Sequence, residues 1–145
     1  MKNSSYPEAS SLLQVMEAEA SYSVMYNRHA VIAAAREGVT RKDFFAFAKF
    51  ISQSVAALAE IIPASYSTLT KKKVYDKETS ERIFELAEVY TIGKEVFGSI
   101  PTFNKWLARK SLPLGGVTPF SLLDTSYGIS LVKEEIGRID HGVLA

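Results

Sequence analysis

The densest cationic stretch of the chain is Lys71-Lys72-Lys73, and it follows Ser65, Tyr66, Ser67 and Thr70. Ammonium and hydroxyl groups gathered in this way are the groups that contact phosphate oxygens and base edges, so a DNA-facing surface is the first chemistry to weigh. Bond-breaking chemistry has less to draw on. The chain has two histidines, His29 and His141, and no cysteine. Neither histidine has Asp or Glu around it at metal-ligand spacing, so no metal site is expected. Gly115-Gly116 lacks the lysine and the following helix register that a phosphate cradle requires, and reads as a turn. G-x-S-x-G, dinucleotide-binding and kinase signatures are all missing. Glu134 and Glu135 are adjacent and diverge around a helix, as on a solvated face. No cofactor, no small-molecule substrate and no catalysis are expected.

A chain of 145 residues has room for one modest core, or two very small units sharing one. With 47% hydrophobic and 23% charged residues it should fold along most of its length. The lack of cysteine removes disulfides, zinc ribbons and thiol nucleophiles and is compatible with a reducing compartment. No apolar run approaches about eighteen residues, and Met1 and Lys2 lead into Asn3, Ser4 and Ser5, so neither a membrane partner nor a signal peptide is expected and the chain reads as cytoplasmic. Residues 1–74 carry 9 Lys/Arg against 6 Asp/Glu and residues 75–145 carry 8 against 10, a split of +3 and −2 that leans any nucleic-acid contact toward the first half.

The elements that must position these groups are helical. Residues 1–22 show one apolar patch, Leu12, Leu13, Val15 and Met16, without sustained period, and read as a loose arm or a marginal helix. From about Ser23 the pattern Val24, Arg28, Val31, Ile32, Ala35 suits a helix stopped by Gly38. Thr40 with Asp43 opens a second, carrying Phe44, Phe47, Ala48 and Ile51. Ser52 or Ser54 opens a third, with Val55, Leu58, Ala59 and Ile62, ended by Pro63; Ser65 caps a fourth to about Lys73. Asp76 starts a long helix with Ile83, Leu86, Ala87, Tyr90, Gly93 and Phe97 on one face, and Val89, Ile92 and Val96 widen that face enough to predict burial on two sides. A short helix around Phe103, Trp106 and Leu107 follows, with Trp106 expected as a core anchor. The pair Thr118-Pro119 opens a one- or two-turn helix. Residues 126–141 form the last helix, with Ile129, Val132, Ile136, Ile139 and then Val143 inward, and Glu134 spaced to pair with Arg138. Strand-like alternation is never sustained, so the fold class is all-α.

Residues 55–74 have the layout of a helix-turn-helix: Leu58 and Ala59 before the turn, Ile62 and Ala64 about it, and Leu69 anchoring the second helix. Ser65, Tyr66, Ser67, Thr70 and Lys71 would then face DNA. Pro63 stands where glycine is often seen, and Lys72 where an apolar anchor is expected. A plain helical hairpin with a solvated lysine run fits the same residues, and the sequence leaves both open.

The second half is more specific. Ser80-Glu81-Arg82, Glu95-Val96-Phe97-Gly98, Trp106-Leu107, Leu114-Gly115-Gly116-Val117-Thr118-Pro119, Leu122-Leu123-Asp124-Thr125, Gly128 and Arg138-Ile139-Asp140-His141-Gly142-Val143 occur in order over residues 75–145. Together they resemble the Xre/MbcA/ParS antitoxin family, and the first half resembles the Xre helix-turn-helix region more weakly. Beyond the arm read over 1–22, which resembles nothing in the family, the resemblance implies a helix-turn-helix domain over 23–74 and a toxin-binding, dimerising domain over 75–145. It implies a type II antitoxin that neutralises a RES-domain, NAD-consuming toxin, forms a homodimer and binds its operator DNA; a helix-turn-helix regulator without a toxin partner is the alternative. The matching toxin-binding residues are Arg138, Asp140, His141, Gly142 and Val143, whose helix end would block the toxin's NAD pocket. On the residues alone, Ile139 and Val143 also fit core positions and Gly142 a helix stop. Leu114 to Pro119 are expected to fix a loop that supports this surface.

Overall fold

Small alanines and short caps set the first turns of the fold. The computed structural model describes residues 28–142, and these form seven α-helices and two 3₁₀ turns with no strand. Helix α1 (Arg28–Glu37) buries Ala34 and Ala35 and stops at Gly38, whose φ of 99° is a left-handed conformation that a side chain would resist. Helix α2 (Arg41–Phe50) is capped by Thr40, whose hydroxyl accepts the Asp43 N–H at 3.1 Å. Helix α3 (Val55–Ala59) is capped by Ser54 and α4 (Tyr66–Lys71) by Ser65. Asp76 caps the long helix α5 (Lys77–Phe97) by accepting the Thr79 N–H at 2.8 Å, and this hydrogen bond holds its carboxyl below the usual carboxylate range. Helix α6 (Ile100–Leu107) is capped by Ser99. After 3₁₀ turns at Leu112–Leu114 and Pro119–Asp124 comes α7 (Ser126–Asp140), capped by Thr125. Each side-chain cap satisfies an otherwise unpaired amide and is worth ~1 kcal/mol.

Helix α5 is the axis of the molecule. It buries residues over more than half of its circumference, including Ile83, Phe84, Leu86, Ala87, Val89 and Tyr90, and packs on α1, α6 and α7. One continuous cluster joins Phe44, Phe47 and Leu69 of the first half to Phe103, Leu123 and Ile136 of the second. Burial of α5 on two sides, read from its wide stripe, is what the structure shows, although Phe84 was not among the positions read as inward.

Three expectations for the hairpin are adjusted. Helix α3 ends at Ala59, before Pro63, although Ile61 and Ile62 stay buried in the turn. Helix α4 ends at Lys71, two residues early, because the chain extends at Lys72 to reach an isolated bridge between Thr40 and Val74. The anchor missing at Lys72 is supplied by Tyr75, 3% exposed, whose hydroxyl donates to the Leu69 carbonyl at 2.6 Å. Burial pushes the Tyr75 hydroxyl up to about 12, against the nearby charge of Arg41. The part of the first helix expected over residues 23–27, and the arm over 1–22, lie outside the described residues.

The α1–α2 turn is held on α5 by one hydroxyl. Ser80 Oγ accepts the Val39 N–H at 2.8 Å and donates to the Tyr75 carbonyl at 3.4 Å, with Val39 and Ser80 both fully buried. Ser80→Ala strands the Val39 amide without water, so chemical denaturation is expected to show a loss of ~1–3 kcal/mol. A loss below a few tenths would mean that this amide has another partner.

Candidate functional site

The first candidate surface is the α3–α4 hairpin. Leu58 and Leu69 are fully buried and hold it on the core. Of the five residues proposed to face DNA, Tyr66, Ser67 and Lys71 are exposed, and Tyr66 presents 55% of its surface. Ser65 is exposed too, but its hydroxyl caps α4 by accepting the Thr68 N–H at 3.0 Å. Thr70 is half-buried, and its hydroxyl donates back to the Tyr66 carbonyl at 2.9 Å. Tyr66, Ser67 and Lys71 therefore remain as the groups open to a ligand.

The structure adds a cation that linear spacing did not bring together with these groups. Arg41 donates from Nη1 to the Lys71 carbonyl at 2.8 Å and to the Thr70 carbonyl at 3.4 Å, neutralising the carbonyl end of α4. Its own N–H reaches the Lys73 carbonyl at 2.9 Å. Arg41, thirty residues upstream in sequence, thus joins the Lys71-Lys72-Lys73 segment in one basic region.

The second candidate surface is the end of α7. Its root is locked by Gly128, where the helix touches the Leu122 carbonyl of the second 3₁₀ turn, and by Ile129, Val132 and Ile136 in the core. Arg82 of α5 anchors the same turn: Nη1 donates to the Asp124 carbonyl at 2.7 Å and to the Ile61 carbonyl at 2.8 Å, while Nε pairs with Glu85 at 3.2 Å. One partly buried guanidinium thus ties the hairpin to the turn that precedes α7. Sequence reading singled out Arg82 only as part of a motif; both its carbonyl partners are more than twenty residues away.

At the far end, Arg138, Asp140, His141 and Gly142 are all exposed. Gly142 lies just past the helix with φ 69°, so its role as a helix stop is also met. Val143 lies outside the described residues. Ile139, which fitted a core position, is 39% exposed and belongs to the surface. The pairing of Glu134 with Arg138 is replaced by Glu135, whose Oε1 lies 2.8 Å from Arg138 Nε. Glu135 is also not on a solvated face: it is 5% exposed, turned toward the same side as Val132 and Ile136.

Along the outer face of α7, Tyr127 (85% exposed) and Leu131 (42%) precede Arg138 by eleven and seven residues, one helical stripe. The loop before α7 contributes Leu112, 89% exposed, lifted by a tight turn in which Gly116 N–H reaches the Ser111 carbonyl at 2.8 Å. Leu114 to Pro119 form this turn and the start of the next, as expected. Aromatic, aliphatic and guanidinium side chains together are the composition of a protein-binding hot spot. Tyr127 and Leu131 were missed in the sequence; their only signal was being apolar at positions offset from the buried stripe.

Inside the domain, Tyr90, Gln53 and Asn104 form a polar knot: Tyr90 OH donates to Asn104 Oδ1 at 2.6 Å, and Asn104 Nδ2 donates to the Ile51 carbonyl at 2.8 Å. Burial raises the Tyr90 hydroxyl to about 12, partly countered by the Gln53 hydrogen bond. This knot joins the α2–α3 loop to α5 and α6 and has a structural role. Trp106, expected as a core anchor, is only partly buried; it packs on the rim of the core, stacked on Phe103 at 6.0 Å and tilted against Phe97 at 5.2 Å. Among the described residues no group of His, Asp or Glu could hold a metal, and no helix is long and apolar enough to cross a membrane.

The scaffold is all-helical, and its last helix is rooted in the core and offers an exposed end of mixed polarity. Residues 93–142 match the antitoxin Xre/MbcA/ParS C-terminal toxin-binding domain. Over this segment, about a third of its length, the chain is similar to the Xre/MbcA/ParS antitoxin family. It is 33% identical over 93 residues to an Antitoxin Xre of Photorhabdus laumondii, covering 63% of each chain. It is 29% identical over 65 residues to an Antitoxin Xre of Pseudomonas putida, covering 45% of this chain and 41% of that one. Both alignments span less than two thirds of the relative's own length. A protein of Sphingobium sp. named Prs ADP-ribosylating antitoxin is 28% identical over 142 residues, covering 86% of this chain and 88% of its own.

Proposed function

We propose that the chain is the antitoxin of a type II toxin–antitoxin system that neutralises a RES-domain, NAD-consuming toxin by direct binding. The observation that carries this reading is the overlap of the toxin-binding family match with the exposed end of α7. Arg138, Asp140, His141 and Gly142, with Val143 beyond them, would enter the toxin's active site and exclude its dinucleotide, so the chain contributes shape and charge and no catalysis. ADP-ribosylation, named for one relative, is chemistry that consumes NAD and supports this choice of partner. The exposed Leu112, Tyr127 and Leu131 support a homodimer, since apolar side chains in such a stripe gain most when covered. The basic cluster around Arg41 and Lys71 supports operator binding through Tyr66, Ser67 and Lys71. It equally favours the second reading, a DNA-binding regulator without a toxin.

Deleting residues 138–145 separates the two. Co-expressed with a RES-domain toxin encoded beside this chain, the truncated protein is expected to lose growth rescue while keeping dimerisation and operator binding. Unchanged rescue, or no such toxin gene, would sink the pocket-blocking reading. Replacing Tyr66 and Lys71 together by alanine is expected to weaken operator binding by about tenfold and to flatten its salt dependence by about one phosphate contact. An unchanged gel-shift profile would remove the hairpin from the DNA.

A further inference from the structure

Glu135 is the one buried carboxylate among the described residues, and its single ion-pair or hydrogen-bond partner there is Arg138. The arrangement is one-sided: the carboxylate side chain is 6% exposed and the guanidinium side chain 43%. Removing a carboxylate from water is costly, and one bond to a half-solvated cation returns little of that cost. An apolar side chain of similar size, between Val132 and Ile136, would stabilise the fold as well or better. Stability therefore gives no reason for Glu135. Its effect on Arg138 does. With Nε–H tied at 2.8 Å, the guanidinium plane is oriented before any partner arrives. Its two Nη groups make no hydrogen bond to a described residue and form a fork that suits a planar oxyanion.

We infer that Glu135 is a positioning residue for toxin capture: it pre-orients Arg138 so that the free edge of the guanidinium takes an Asp or Glu carboxylate of the toxin. This rests on the reading that the end of α7 contacts the toxin. A tethered arginine has already lost the rotamer freedom that a free one loses on docking, so the gain falls mainly on complex lifetime.

The test uses the full chain and its complex with the RES-domain toxin encoded beside it, in Glu135→Met, Glu135→Gln, Arg138→Ala and the Glu135→Met/Arg138→Ala double variant. Glu135→Met is expected to keep or raise the melting temperature of the free chain while shortening complex lifetime about tenfold, with Glu135→Gln intermediate. The double variant should dissociate no faster than Arg138→Ala alone, because the two residues act as one unit. In the toxin-free chain, the Arg138 Nε–H resonance should be protected from solvent exchange and lose that protection in Glu135→Met. Unchanged lifetimes in both Glu135 variants, with faster dissociation in Arg138→Ala, would overturn the positioning role while leaving the toxin contact standing. Additive losses in the double variant would overturn it as well. No effect of Arg138→Ala would remove the contact itself, and the inference with it. A melting temperature that falls in step with lifetime in both Glu135 variants would assign Glu135 to stability instead.

Discussion

Gly128→Ala is expected to lower the thermal midpoint by roughly 10 °C. Propensity argues the other way, since alanine is favoured over glycine inside a helix by ~1 kcal/mol. Packing decides the sign. A Cβ built on Gly128 overlaps the backbone carbonyl of Leu122, a group that cannot rotate away like a side-chain tip. That carbonyl sits in a 3₁₀ turn pinned at one end by the Thr118 cap and at the other by Arg82, so α7 must move bodily. Overpacking of this kind costs ~1–3 kcal/mol, and a clash with fixed backbone falls at the upper end, which in a domain of this size corresponds to about 10 °C. Gly137, on the same helix, is the control: nothing lies within 4 Å of its added Cβ, so Gly137→Ala should be neutral or stabilising. Calorimetry of the two variants checks this. Equal midpoints would mean that α7 does not press on the turn as described.

Phe103→Ala is expected to cost ~3–5 kcal/mol, enough to leave a small domain marginally folded. Phe103 is fully buried, edge-on to Tyr90 at 5.1 Å and stacked with Trp106 at 6.0 Å. Its ring lies on Gly93 of α5, so closely that a Cβ there would overlap it. Removing the ring opens a void beside a position that has no side chain to lean in. Adding a methyl there in the truncated background should recover about 1 kcal/mol, through partial filling of the void and restored helix propensity. Gly93→Ala alone, with the ring present, should instead destabilise. Urea denaturation of the two single variants and the double variant measures the coupling, and simple additivity would show that the contact is not what Gly93 serves.

The surface at the end of α7 was half legible. Arg138, Asp140, His141 and Gly142 could be named because they follow a family pattern at the end of a clear amphipathic helix. The carboxylate that holds Arg138 is not the one its spacing indicated: Glu134 stands four residues before it, but Glu135, three before it, makes the pair. The choice fell to the one that the core covers. Ile139 failed for a related reason: its spacing from Ile136 is helical, but among the described residues the last turn of α7 stays exposed. On the hairpin, Ser65 and Thr70 had the right chemistry for DNA but spend their hydroxyls on α4 itself, and Arg41 was invisible because its partners lie about thirty residues away.

By itself the chain's order of residues determined where several helices begin: Thr40, Ser65, Asp76 and Thr118 cap as read, Ser54 is one of the two caps offered for α3, and Gly38 ends α1, because a cap needs only neighbours within three or four positions. The all-α class followed from the same local periodicity. Only the tertiary structure decided that Tyr75 replaces Lys72 as the hairpin anchor, that Arg82 joins two distant carbonyls, and that Gly93 and Gly128 are points of contact rather than flexibility. Those outcomes depend on which surfaces meet, and surfaces meet by summed burial over the whole core, which no single window of sequence contains.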